Sequence, residues 1–174
     1  MKFHQIFSAI AMLSMLAACG GGDVAASDPS VPGGVAAPAD VADKYVGTWT
    51  FCGQQSPSTS YLATLVGTKL AADSINYNYS ETEYVTADCT GQGSISYTES
   101  GRVAYQGTKT IGTTVVDKGE GTVTADSDQN TTEPRVEKDI SLLSGTTLYF
   151  GDSSSLDTEG YPNAILRQAA FTKR

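Results

Sequence analysis

Short runs in which apolar and polar residues alternate occur along most of the chain after residue 44. The clearest is Ile75-Asn76-Tyr77-Asn78-Tyr79, and Ile95 and Tyr97 repeat the pattern later. Alternation of this kind is typical of β-strands with one buried face, and helical periodicity is hard to find. The pattern predicts ten strands, at residues 45–52, 60–67, 74–80, 83–87, 94–98, 102–108, 113–117, 122–125, 136–143 and 146–150. Residues 164–171 fit either a last strand or a short helix.

Two glycine-containing tetrapeptides are predicted to form hairpin turns. They are Glu99-Ser100-Gly101-Arg102 and Leu143-Ser144-Gly145-Thr146, in which the glycine can adopt a positive φ. Many short strands have many edges, and a barrel removes all of them. The predicted fold class is therefore all-β: a single antiparallel β-barrel, or a barrel-like meander, of about 8–10 short strands.

The first residues have a different pattern, with a charged start at Lys2 followed by an apolar run that ends at Leu16-Ala17-Ala18-Cys19. This run is typical of a secretory signal peptide and is shorter than the roughly 20 residues of a membrane-spanning helix. Small residues directly before a cysteine resemble the lipobox of bacterial lipoproteins. The resemblance implies that residues 1–18 are removed and that Cys19 carries the lipid. The alternative is an ordinary signal peptide, with Cys19 left as a chance thiol.

The residue after Cys19 and the low-complexity segment that follows extend this interpretation. Residue 20 is glycine rather than aspartate, which in Gram-negative lipoproteins implies the outer membrane. Residues 19–43 consist mostly of Gly, Ala, Ser, Pro, Asp and Val and bury too little apolar surface to offset ordering entropy. We expect a flexible tether there and one folded domain at residues 44–174.

Charge and histidine content exclude several classes of function. The chain has 11 Lys and Arg, 19 Asp and Glu and one His, for a net charge of −8. Removal of residues 1–18 takes away Lys2 and His4, which leaves −9 and no histidine. Histidine-based nucleophilic catalysis and histidine-ligated zinc are then excluded, and an acidic chain is a poor partner for nucleic acid. The sequence indicates no cofactor.

The two remaining cysteines are Cys52 and Cys89, an even pair in a chain with an export signal. Such a pair predicts a structural disulfide. A redox pair usually has Cys-x-x-Cys spacing, which these residues lack.

The start of the folded domain, Val46-Gly47-Thr48-Trp49, resembles the G-x-W motif of lipocalins and other calycins. The resemblance implies that Trp49 packs across the closed end of a barrel, covered by a basic residue near the C-terminus such as Arg167 or Lys173. It also implies a small apolar ligand inside. Candidate ligand-binding residues are Trp49, Tyr77, Tyr79 and Tyr97, with Ile95 and Val103 as further lining residues. The same residues would equally fill a solid core.

A second motif, Ser100-Gly101-Arg102-Val103-Ala104-Tyr105, is similar to the contact loop of exported lipoproteins that inhibit lysozyme. It has one residue more before the tyrosine. The resemblance implies an envelope protein-interaction module, such as an inhibitor or an assembly accessory, that uses outer loops near residues 100–102 and 151–160. A plain hairpin turn is the alternative.

One stretch has the oxygen spacing of a calcium loop. Asp126, Asp128, Asn130 and Glu137 occupy positions 1, 3, 5 and 12 of that template. Thr131 stands where the template needs glycine, and Pro134 lies inside the loop, so a solvated hairpin loop is the alternative.

Carboxylates are the remaining candidates for catalysis. Asp152, Asp157 and Glu159 lie close together in the sequence, and a glycosidase needs only two acids across a cleft. No motif with a mechanism accompanies them. We therefore expect a binding protein rather than an enzyme, anchored in the outer membrane by its lipid, with a small apolar ligand or another envelope protein as its partner.

Overall fold

The computed structural model describes residues 40–128 and 134–174. Eight antiparallel strands form a closed barrel in which each strand pairs with its neighbours in sequence and the last pairs with the first. The strands are β1 (Gly47–Ser56), β2 (Thr59–Ala71), β3 (Ser74–Tyr84), β4 (Gly93–Ile111), β5 (Thr114–Asp126), β6 (Arg135–Ser144), β7 (Thr147–Phe150) and β8 (Phe171–Lys173). A short 3₁₀ helix, Val41–Lys44, precedes β1. The all-β prediction and the predicted antiparallel barrel are confirmed.

Several predicted strands are segments of longer ones. Residues 94–98 and 102–108 both belong to β4, and residues 113–117 and 122–125 both belong to β5. Of the segment predicted at 83–87, only Glu83 and Tyr84 remain in a strand, at the end of β3. The ambiguous segment 164–171 is irregular up to Phe171, where β8 begins.

The turn predicted at Glu99-Ser100-Gly101-Arg102 is wrong, because these residues lie within β4. Gly101 has another role: a Cβ there would lie 2.3 Å from the Thr122 backbone oxygen and 2.9 Å from the Tyr77 ring. Glycine therefore lets a tyrosine of β3 pack across the backbone of β4. The turn predicted at residues 143–146 is confirmed, with Gly145 at a φ of 61° between β6 and β7.

The predicted disulfide is confirmed. Cys52 on β1 is bonded to Cys89 in the connection between β3 and β4, at a sequence separation of 37. The fully buried Ser60 fixes the same connection, since its hydroxyl donates to the Thr86 carbonyl and accepts from the Cys89 amide.

One end of the barrel is closed by aromatic packing. The Tyr45 ring stacks on Tyr105 with centroids 4.6 Å apart, and its hydroxyl donates to Asp117 at 2.6 Å. Ala42 in the 3₁₀ helix is fully buried at this end. Trp49 belongs to the same core and is 1% exposed.

A second, smaller core lies outside the barrel. Val116 and Ile140 point outward from β5 and β6 and pack with Tyr161 of the long connection between β7 and β8. The ammonium groups of Lys118 and Lys138 lie 5.0 and 5.2 Å from the Tyr161 ring centroid. This connection therefore covers apolar residues that would otherwise be exposed.

Among the helices of residues 40–128 and 134–174, none combines the length and the apolar character that a membrane crossing requires.

Two glycine substitutions on facing strands test the close approach of Tyr77 to β4. Gly101→Ala should lower the free energy of unfolding by about 1–3 kcal/mol, since the methyl group overlaps backbone and ring atoms. At Gly121 the nearest atom to a Cβ is 3.7 Å away, so Gly121→Ala should change stability little. Urea unfolding followed by Trp49 fluorescence measures both. Equal stability of the two variants would contradict the packing described.

Candidate functional site

The candidate site is a cavity inside the barrel with a volume of about 330 Å³. Its walls are the inward-facing residues of the strands, which alternate with residues that face solvent. Gly119 and Gly121 of β5 are among the lining residues. The missing side chain at Gly119 makes room for Val103, whose Cγ1 would lie 2.9 Å from a Cβ there, and the missing side chain at Gly121 leaves open space. The interior is therefore not a filled core.

Apolar side chains line one part of the cavity, next to the aromatic closure around Tyr45. These residues are Phe51, Leu65, Ile75, Leu148, Phe150 and Phe171. Phe171 contacts two of the other rings, with centroid distances of 5.6 Å to Phe51 and 5.5 Å to Phe150. An apolar group inserted here would leave water for a hydrocarbon surface.

Tyrosines and glutamates line the part of the cavity nearer the β3–β4 connection. Tyr77 and Tyr97 donate to the two carboxylate oxygens of Glu99, at 2.7 and 2.8 Å. Tyr79 donates to Glu81 at 2.6 Å. Burial raises the pKa of all three hydroxyls, and their carboxylate acceptors raise it further, so they stay protonated donors.

One guanidinium lies among these acids. Arg135 contacts Glu99 through Nη2 and Asp126 through Nη1, both at 3.2 Å, and Nε donates to Glu137. Its three partners are on β4, β5 and β6, so the side chain links three strands. Burial raises the pKa of the Glu137 carboxyl, and the interaction with Arg135 offsets part of this shift.

Asp139 is the deepest of the carboxylates along β6. Its Oδ1 accepts the backbone N–H groups of Ile140 at 2.7 Å and Gly151 at 3.0 Å. Burial raises its pKa to about 7, against the effect of these two hydrogen bonds, and the nearby Glu137 carboxylate adds to the shift. Part of Asp139 remains exposed to the cavity, which it lines.

Comparison of the chain with protein-family models, with curated proteins and with solved structures gives no match. The site must therefore be interpreted from its own residues.

Three of the four predicted ligand-binding residues, Tyr77, Tyr79 and Tyr97, line the cavity, as does Val103. Trp49 does not line it. Its Nε1 donates to the Tyr45 carbonyl at 3.1 Å within the closed end. Ile95 was expected inside but is 70% exposed. The pairing of β3 and β4 has a bulge between Glu81 and Thr82, whose partners are Tyr97 and Ile95. The bulge shifts the alternation of inward and outward side chains on β4, so Ile95 faces outward although Tyr97 lines the cavity.

The lipocalin resemblance implied that either Arg167 or Lys173 covers Trp49. Lys173 of β8 lies over the Trp49 ring. Its Nζ lies 5.1 Å from the Trp49 ring centroid. Arg167 lies instead over Tyr149, at 5.3 Å.

The residues of the calcium-loop template are only partly described. Asp126 and Glu137 lie close together, but both accept from Arg135, which occupies the place between them that a cation would need. Asp128 is exposed and its backbone N–H donates to Asp126, while Asn130 lies outside the described residues. Within residues 40–128 and 134–174, no three His, Cys, Asp or Glu side chains could together hold a metal ion.

The three carboxylates considered as candidates for catalysis face the outside of the barrel in separate contacts. Asp157 pairs with Lys109 and Glu159 with Lys118, and Asp152 accepts the Ser154 amide.

Ser100 and Arg102, predicted to lie in a contact loop, are on β4, and Tyr105 of that motif is stacked inside the barrel. Cys19 and most of the predicted tether lie outside the described residues.

Sequence reasoning missed Glu81, Glu99, Arg135 and Asp139. Glu81 stands two residues after Tyr79, and Glu99 stands two residues after Tyr97, so both continue the alternation of the inward-facing tyrosines. This spacing could have identified them. On β6 the alternation misleads, because Val136 and Ile140 face outward while Arg135, Glu137 and Asp139 line the cavity.

The raised pKa of Asp139 gives a pH dependence of stability with a defined sign. Between its ordinary value of 3.8 and about 7, the folded protein binds more protons at Asp139 than the unfolded chain, so stability falls as pH rises through this window. Asp139→Asn keeps the Oδ1 acceptor and removes the charge. The variant should be more stable than the wild type by about 2–4 kcal/mol at pH 8 and similar to it near pH 4.

Urea titrations at several pH values measure this difference, with Asp152→Asn as the control. Hydrogen bonds from Ser154 lower the pKa of Asp152, so this variant should gain no stability at high pH. A difference between Asp139→Asn and wild type that does not vary with pH would contradict a neutral-range pKa.

Proposed function

We propose that this protein is a lipid-anchored lipoprotein of the bacterial outer membrane whose β-barrel holds a small molecule with a largely apolar body. The observation that supports binding is the cavity of about 330 Å³, with aromatic and aliphatic side chains on one part of its wall and a few polar groups on the other. Small-molecule sites commonly have about 300–1,000 Å³ of space and this combination of lining groups.

The anchor is supported by the sequence Leu16-Ala17-Ala18-Cys19 and by the confirmed disulfide, which fits an oxidising compartment outside the cytoplasm. The lipid holds the protein at the membrane surface, and the Gly- and Pro-containing segment after it separates the barrel from the bilayer. Binding rather than catalysis is proposed, because removal of residues 1–18 would leave no histidine and because three of the cavity carboxylates, Glu99, Asp126 and Glu137, are engaged with Arg135.

The cavity is tested with N-phenyl-1-naphthylamine, an uncharged probe whose fluorescence rises in apolar surroundings. The wild type should bind one probe molecule. Gly121→Leu should weaken binding at least tenfold, because its side chain enters the cavity, whereas Gly121→Ala should change affinity much less. Circular dichroism confirms folding of both variants. Undiminished binding by the leucine variant, or no binding by the wild type, would contradict the proposal.

The anchor is tested with Cys19→Ala in the full-length chain. The variant should carry no lipid and should be absent from washed outer membranes, while the wild type is retained there. Mass spectrometry and membrane fractionation measure the two effects. Retention of the unlipidated variant in washed membranes would argue against the lipobox.

A further inference from the structure

We propose that the molecule held in this cavity carries a positive charge, as an amine or guanidinium group attached to an aromatic or aliphatic body. This ligand class rests on the proposed function, since it names what the same cavity holds. Three features of the cavity wall lead to it: the balance of charges, the direction of the hydrogen bonds and the arrangement of the aromatic rings.

The wall has more carboxylates than cations. Among residues 40–128 and 134–174, one positively charged side chain lines the cavity, that of Arg135. The acidic residues that line it are Glu81, Glu99, Asp126, Asp128, Glu137 and Asp139. Charges of one sign in a cleft with low-dielectric walls attract ligands of the other sign.

Two of these carboxylates form no ion pair with a described residue. Arg135 is directed at Glu99, Asp126 and Glu137. Glu81 accepts from the neutral Tyr79 hydroxyl, and Asp139 accepts from two backbone amides. Both side chains are half-buried. A carboxylate partly removed from water without a counter-ion is costly, and a bound cation would offset that cost.

Three tyrosine hydroxyls of the wall are donors to its carboxylates. The hydroxyl protons of Tyr77, Tyr79 and Tyr97 are all donated to carboxylates. These groups therefore offer acceptors to a ligand, whereas a carboxylate-bearing ligand such as a fatty acid would need donors. An ammonium group has donors only and matches this wall.

The aromatic rings supply a further attraction for a cation. Tyr61, Tyr77, Tyr79 and Tyr97 all line the cavity, and the rings of Tyr79 and Tyr97 have centroids 6.1 Å apart in an edge-to-face arrangement. Tyrosine faces attract cations, more strongly where water is displaced. The apolar part of the wall around Phe51 and Phe171 would receive the uncharged body of the same molecule.

Burial and neighbouring carboxylates disfavour the ionised forms of two acids of the wall. Burial raises the pKa of Asp139 to about 7 and raises that of Glu137. A cation bound beside them would favour their ionised forms.

Three probes of similar shape test the charge preference: 2-naphthylmethylamine, 2-naphthalenemethanol and 2-naphthoate, which are cationic, neutral and anionic at pH 7.5. Isothermal titration calorimetry at fixed salt concentration should give at least tenfold tighter binding of the amine than of the alcohol. The naphthoate should bind most weakly.

Matched variants identify the groups responsible. Glu81→Gln and Asp139→Asn keep their hydrogen-bond acceptors and should each reduce the advantage of the amine about threefold or more, with little change for the alcohol. Glu120→Gln removes the same charge from β5 between the two cavity-lining glycines, but its side chain does not line the cavity. It should leave the preference unchanged, so a general effect of net charge is excluded.

Each outcome has a distinct meaning. Saturable binding of naphthalenemethanol that Gly121→Leu removes, without a preference for the amine, would overturn the cationic ligand and leave the proposed function standing. An equal loss of preference in Glu120→Gln would also overturn it. Failure of all three naphthalene probes and of N-phenyl-1-naphthylamine to bind would overturn both.

Discussion

Arg135 carries the interaction on which the polar half of the barrel depends. It contacts Glu99, Asp126 and Glu137, which come from three adjacent strands. Glu99 and Asp126 are directly opposite each other in the pairing of β4 and β5, where two facing carboxylates would repel. A bulge beside Gly101 turns Asp126 toward the interior, and the guanidinium then offsets the repulsion. Loss of this one side chain would leave three acids without their counter-ion.

The barrel combines this charged layer with an apolar floor because its two ends are built differently. Tyr45, Trp49 and Tyr105 pack together at one end, and the 3₁₀ helix adds the buried Ala42. Toward the other end the strands contribute tyrosines and acids, while Gly121 leaves space between them. A cavity with an apolar floor and an anionic upper wall is suited to an amphipathic cation. A purely hydrocarbon ligand would leave the acids without compensation.

Much of the fold could be predicted from the sequence, because strand alternation and paired cysteines are local signals. The barrel, the disulfide and the turn at Gly145 are confirmed, and Tyr77, Tyr79 and Tyr97 line the cavity. The charged layer could not be predicted, because it depends on register between distant strands. On β6 the apolar Ile140 serves the outer core beneath Tyr161, so the apolar face of that strand is not the barrel interior. Gly101 was predicted to lie in a turn, but it is a glycine because the Tyr77 ring packs close to its backbone. In a sequence, a glycine required by close packing cannot be distinguished from a glycine required by a positive φ.

The central claim is that, among the residues that the structure describes, the barrel interior holds more carboxylates than the guanidinium of Arg135 can neutralise. The most direct measurement is a pH titration of the side-chain carboxyl carbons by ¹³C NMR, with Asp139→Asn and Glu137→Gln used to assign the resonances. We expect Asp139 to titrate at about pH 7 and Glu137 above the ordinary glutamate range, while Asp152 in the outer loop titrates below its ordinary value. Titration of Asp139 and Glu137 at or below their ordinary values would contradict the account, because it would mean that their charges are already compensated or solvated.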